Sequence, residues 1–89
     1  MIVIDPRDNV ATAIKDLGTG EQLYTKQGTL RLLQDIPFGH KIALQAIAKD
    51  EYVIKYGAPI GRATVTIAQG EHVHVHNVAD ITDEVRKGV

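Results

Sequence analysis

Cysteine is absent from this chain. That excludes a disulfide framework, a thiolate metal site and a cysteine nucleophile, and it fits a reducing, cytoplasmic setting. Tryptophan is absent too, and Tyr24, Phe38, Tyr52 and Tyr56 are the only phenyl-type rings. The core must therefore be aliphatic. No excess of one charge exists: 10 basic residues face 11 acidic ones, for a net charge of −1. There is no basic footprint for nucleic acid or an anionic membrane surface. No run approaches the roughly 20 apolar residues of a membrane span. Met1-Ile2-Val3-Ile4-Asp5 meets a charge too soon for a signal peptide. Also missing are a Gly-x-Ser-x-Gly nucleophile motif, a phosphate-binding glycine loop and a carboxylate pair at acid/base spacing. No internal repeat, linker or low-complexity segment is evident.

What is present is a single domain of 89 residues, 44% of them hydrophobic. A chain of this size buries about 60–65% of its unfolded surface. Its punctuation is regular. Gly18-Thr19-Gly20, Ile36-Pro37-Phe38-Gly39-His40, Ala48-Lys49-Asp50-Glu51, Gly57-Ala58-Pro59 and Gln69-Gly70 read as turns. Between them lie short alternating runs: Val10–Ile14, Gly20–Tyr24, Thr29–Ile36, Lys41–Ile47, Tyr52–Tyr56 and Ile60–Ile67. That rhythm predicts a small all-β, barrel-like or sandwich domain whose edges are paired or covered by a partner. Residues 1–7 read as a short strand or arm. Asp80 is placed to cap a last short helix over 81–87.

The most informative run is Gly70-Glu71-His72-Val73-His74-Val75-His76-Asn77, which holds three of the four histidines. The two-residue spacing predicts a strand with the three imidazoles on one face and Val73 and Val75 anchored on the other. Two such histidines, with Cα atoms about 7 Å apart, can share a metal. The outer two, about 13 Å apart, cannot easily join the same ion. A histidine here is equally able to serve as acid or base, and the same pattern suits a polar strand with no chemistry. His40 and Lys41, in the Pro-x-Gly-His-Lys turn, place a titratable ring beside a fixed cation. Arg62, after Pro59-Ile60-Gly61, is placed to clamp a carboxylate.

Taken together, several blocks resemble a known family. They are Asp8–Ile14, Ile36–Leu44, Ile47–Lys49, Val53–Gly57, Ile60–Thr64 and Gly70–Asn77. In order and approximate spacing they resemble the SAF-type N-terminal domain of the altronate and galactarate dehydratases, over about residues 8–78. The resemblance implies a small β-clip fold, followed here by a short tail over 79–89. It implies a hydro-lyase that removes water from a sugar acid or hydroxy acid with a divalent metal, typically Fe2+, with Mn2+ or Zn2+ as alternatives. In that family the domain either precedes a large catalytic region or forms a separate small subunit. A chain running from Met1 to Val89 suits the second form, inactive without its large catalytic subunit. On this reading His72 and His74 hold the metal, His40 and His76 act in catalysis, and Lys41 and Arg62 bind substrate. Two alternatives stand beside it: the small subunit of a sulfolactate sulfo-lyase, and a non-catalytic sugar-acid binding or assembly module. A homo-oligomer is a further expectation for the isolated chain.

Overall fold

The computed structural model describes residues 7–25 and 28–81. The readings for residues 1–6 and for a helix over 81–87 lie outside this range or almost wholly so. Among the described residues all regular structure is β, as expected. The strands are β1 (Val10–Thr12), β2 (Gln22–Thr25), β3 (Gly28–Arg31), β4 (Lys41–Ala43), β5 (Tyr52–Lys55), β6 (Ala58–Ala63), β7 (His72–Val73) and β8 (Val78–Ala79). They form three antiparallel sheets, ordered β1-β4-β7, β2-β3 and β5-β6-β8.

The strands are shorter than the alternation predicts, because a turn motif recurs that simple inspection of the sequence misses. Leu17, Ile36, Ile47 and Ile67 are each buried and each form one isolated bridge, Leu17 with Ile36 and Ile47 with Ile67. Immediately after each comes a reversal closed by a backbone hydrogen bond: Glu21 to Gly18, His40 to Pro37, Glu51 to Ala48 and Glu71 to Ala68. The third residue of each reversal is left-handed: Gly20 (φ 87°), Gly39 (82°), Asp50 (74°) and Gly70 (84°). An internal repeat is therefore present, contrary to expectation. It escapes notice because little recurs: one aliphatic residue and one left-handed position in all four copies, and a closing glutamate in three. The turn at Pro37 also begins one residue later than expected, with Pro37 as its first residue and not its second.

The four turns grip one another in pairs. Gly20 N–H donates to Leu32 O, and Leu32 N–H donates to Glu21 O. Gly39 and His40 make the same two bonds with Ala13, Asp50 and Glu51 with Ala63, and Gly70 and Glu71 with Ala43, all at 2.8–3.0 Å. In the first pair Asp16 accepts the Phe38 N–H and Asp35 accepts both the N–H and the hydroxyl of Thr19, each at 2.8 Å. The Thr19 backbone bond, then the hydroxyl bond, hold the Asp35 carboxyl below its ordinary range.

Each pair of turns closes one aliphatic cluster. Ala11, Ala13, Leu17, Leu30, Leu32, Ile36, Ile42 and Leu44 form the first; Val10, Ala43, Ile47, Val53, Ala63, Ile67 and Val73 form the second. Neighbouring residues of β1 and β4 point into different clusters, so these strands wall off one cluster from the other. Val53 and Lys55 supply the buried face of β5, leaving Tyr52 and Tyr56 exposed. Lys55 Nζ lies 4.1 Å from the centre of the Tyr56 ring. The reversal after β5 falls at Tyr56-Gly57, and Ala58 and Pro59 already belong to β6, where a register shift accommodates the proline.

Gly70 and Gly39 occupy the same place in their turns but differ in surroundings. A Cβ at Gly70 would run into the Arg31 carbonyl, whereas one at Gly39 would meet open space. G70A should therefore cost about 2–4 kcal/mol of unfolding free energy, strain plus backbone displacement. G39A should cost about 1–2 kcal/mol, the left-handed strain alone. Urea titration of both variants checks the order.

A convergent histidine cluster

The histidine run does not continue as one strand. β7 ends at Val73, and residues 75–77 turn. The cause is Asn77, which is 2% exposed. Its Nδ2 donates to His72 O at 2.8 Å, its Oδ1 accepts the His74 N–H at 2.9 Å, and its own N–H donates to His74 O at 3.1 Å. An asparagine that satisfies backbone groups on both sides of a reversal replaces the ladder bonds a strand would make. Two corrections follow. Val73 is buried as expected, but Val75 is 81% exposed and anchors nothing. His76 folds back over His72, with ring centres 5.2 Å apart, instead of standing at the far end of a row.

The cluster's third member comes from a distant part of the chain. The second turn ends at His40, immediately before β4. The fourth turn leads into β7, which pairs with β4 so that Ile42 faces His72. His40 Nδ1 and His72 Nε2 are consequently 2.8 Å apart, although 32 residues separate them. The His40 ring stacks on His74 at 4.1 Å and on His72 at 5.0 Å. One ring nitrogen from each of His40, His72 and His74 lies within 4.8 Å of the others. The His72 backbone is fixed from both sides, its N–H by Gln34 Oε1 at 2.9 Å and its carbonyl by Asn77. Gln34 and Asn77 were not singled out in the sequence. Asn77 ends the histidine run, which was the available signal; for Gln34 there was none.

Lys41 opens β4 beside the cluster. With His74, Val53, Ile60, Val73 and Val75 it helps line a largely apolar groove of about 280 Å3. Arg62 stands on a different sheet, with Nη2 3.2 Å from the Tyr52 hydroxyl and its guanidinium over that ring. Of the six candidate residues, then, the structure gathers His40, His72 and His74, sets His76 and Lys41 beside them, and seats Arg62 on Tyr52.

Electrostatics favours neutral rings. Partial burial, then the neighbouring His40, His76 and His74, push the His72 imidazole below its ordinary range. Burial, then His40, Lys41 and His76, push His74 in the same direction. Neutral imidazoles keep lone pairs free for a Lewis acid.

A histidine with a depressed native pKa takes up its proton more readily in the unfolded chain. Stability is then fully present above about pH 6.5 and declines as the pH falls from there through the lower native pKa. Melting temperatures measured between pH 8 and 5 should show this decline, and it should be shallower in H72N. N77A strands the His72 carbonyl and the His74 N–H together. It should cost about 2–3 kcal/mol, read as a lower urea midpoint at constant m.

Comparison with known proteins fits this architecture. The family profile of the altronate/galactarate dehydratase SAF domain matches residues 1–81. The chain is 51% identical over 76 residues to an altronate dehydratase of Escherichia coli and 46% identical over 76 residues to one of Bacillus subtilis. Each match covers 85% of this chain and 15% of the relative's length. Over 43 residues it is 63% identical to the (2R)-sulfolactate sulfo-lyase subunit alpha of Chromohalobacter salexigens, covering 48% of this chain and 46% of that subunit. The chain thus spans a small part of the dehydratases and about half of the sulfo-lyase subunit. With its all-β architecture and its match over residues 1–81, the chain belongs to the altronate/galactarate dehydratase SAF-domain family.

Proposed function

We propose that this domain holds a divalent metal on His40, His72 and His74 and completes the active site of a catalytic region that eliminates water from a sugar acid. The observation that carries this reading is the convergence of three imidazoles from two distant segments. The donor set fits such an ion. Three nitrogens within 4.8 Å can close around a centre with bonds of about 2.1 Å after small ring rotations. Imidazole suits iron and zinc alike; the family resemblance puts Fe2+ first, with Mn2+ or Zn2+ as alternatives. When bound, the ion would supply Lewis-acid assistance to the departing hydroxyl.

The remaining roles fall to residues of the chain. His76 is exposed and lies tilted against the His72 ring, which suits it to take or return a proton. The Lys41 ammonium, beside His74 on the groove, attracts a substrate carboxylate. Arg62, steadied on Tyr52, offers a second anion contact. This assignment moves His40 from acid/base work to metal ligation, because its ring nitrogen already faces His72. The groove lacks an enclosing wall, and the chain spans 15% of its dehydratase relatives; both support a large catalytic partner, covalently joined or separate.

A second reading, sulfite elimination from a hydroxy-sulfonate, is favoured by the 63% identity to the sulfo-lyase subunit. Reconstitution with a catalytic region, assayed for both dehydration and sulfite release, separates the two. Untagged protein should carry stoichiometric divalent metal by elemental analysis, and H40A, H72A and H74A should each lose it while retaining the fold. Those variants should also abolish turnover with the complex still assembled. Full turnover by any of them would overturn the metal reading. Loss of assembly, with turnover retained by the catalytic region alone, would leave a structural module.

A further inference from the structure

Three of the four turns share a contact that the fourth lacks. In each, a glutamate at the end of the turn reaches back to the N–H three residues earlier. Gly18 N–H donates to Glu21 Oε2, Ala48 N–H to Glu51 Oε1 at 3.2 Å, and Ala68 N–H to Glu71 Oε1 at 3.3 Å. At the corresponding place in the second turn stands His40, and the residue that would donate is Pro37, which has no N–H. The reversal itself is unchanged, with His40 N–H donating to Pro37 O at 3.0 Å and Gly39 left-handed. The two differences coincide: the turn without the glutamate is also the turn without the N–H that a glutamate there would bind.

We propose that Pro37 is a positioning residue of the histidine cluster: it removes the N–H that captures the side chain at this place in the other three turns, and so leaves His40 Nδ1 to face His72 Nε2. An N–H at position 37 would offer Nδ1 a partner within its own turn, in the reach-back manner of a capping box. A ring held that way accepts through Nδ1 and is withdrawn from His72. The arrangement also links both histidines to one turn, since Gln34, three residues before Pro37, holds the His72 N–H.

The test is P37A in the full chain, with two readouts that a merely structural proline would not move. The first is the His40 ring 15N shifts, which report tautomer and hydrogen bonding at Nδ1. The second is Co2+ titration followed by visible absorption, which rests on the metal reading above. The expected result is an altered Nδ1 environment and Co2+ affinity lowered about tenfold, the scale of losing a group that orients a ligand. Pro37→N-methylalanine, introduced by chemical synthesis, restores a tertiary amide without the ring and should return both readouts to wild type. P37A/H40E rebuilds the capped turn and should melt higher than P37A. Unchanged His40 shifts in P37A, or failure of the N-methyl variant to restore them, would overturn the proposal. If the wild-type chain binds no Co2+, the metal reading fails and the ring shifts still decide the role of Pro37.

Discussion

The paired backbone bonds that each left-handed turn exchanges with the strand leading into its partner turn hold the rest of the domain in place. Gly20 and Glu21 clasp Leu32, while Gly39 and His40 clasp Ala13; the second pair of turns repeats this with Ala63 and Ala43. Each clasp satisfies polar backbone groups that would otherwise be buried without partners, at the place where the bridging aliphatics enter the core. Leu17 and Ile36 close one cluster, and Ile47 and Ile67 close the other. Strands of two to six residues suffice because the turns make the bonds that longer ladders would make. Short strands also leave little free edge for unwanted pairing.

The histidine cluster follows from the same geometry. β4 receives the second turn and feeds the third, so it belongs to both halves of the fold. The fourth turn ends where β7 joins β4, and the residues that open these two strands must meet. His40 precedes β4 and His72 opens β7. Their contact is therefore dictated by the topology, with Asn77 needed only to bring His74 and His76 around. Burial and the neighbouring rings together disfavour charge on His72 and His74. The outcome is a cluster with lone pairs available on those two rings, made by a chain that has no thiolate to offer.

Much of this was legible in the residues. Most turn positions follow from glycine and proline, and the starts of β1, β4, β5 and β7 lie where alternation puts them, whereas β6 begins inside the stretch read as a turn and β8 was not anticipated. The histidine run announces a site. Strand ends were harder. Ile36, Ile47 and Ile67 continue an apolar alternation past the point where the backbone bends, so periodicity extends β3, β4 and β6 too far. The repeat was hidden because Asp50 takes the left-handed position that glycine holds elsewhere, and because Pro37 and His40 alter the second copy. The burial of Lys55 runs against its charge. Its ammonium lies against Tyr56, and only tertiary structure reveals which face of β5 is covered. The His40–His72 contact depends on strand pairing across 32 residues, beyond any local pattern.

The form of the site bears on how the domain works with the rest of its family. A pocket for a small molecule commonly encloses about 300–1,000 Å3 and covers most of its ligand. The groove beside His74 is smaller and open, and its apolar rim includes Val75 and Ile60, 81% and 41% exposed. Such a surface can present His74, Lys41 and Asp80 to a substrate but cannot surround it. The backbone is hydrogen-bonded where the histidines are held, through the clasped turns, Gln34 and Asn77, and the groove is open where a second wall would stand. Histidines held by a hydrogen-bonded backbone beside an unfinished enclosure suit the one-sided role proposed above. The small size of the chain relative to its dehydratase relatives supports the same division of labour. On the function proposed above, discrimination among substrates would belong mainly to that second wall, which fits a scaffold similar in sequence to relatives whose named substrates differ.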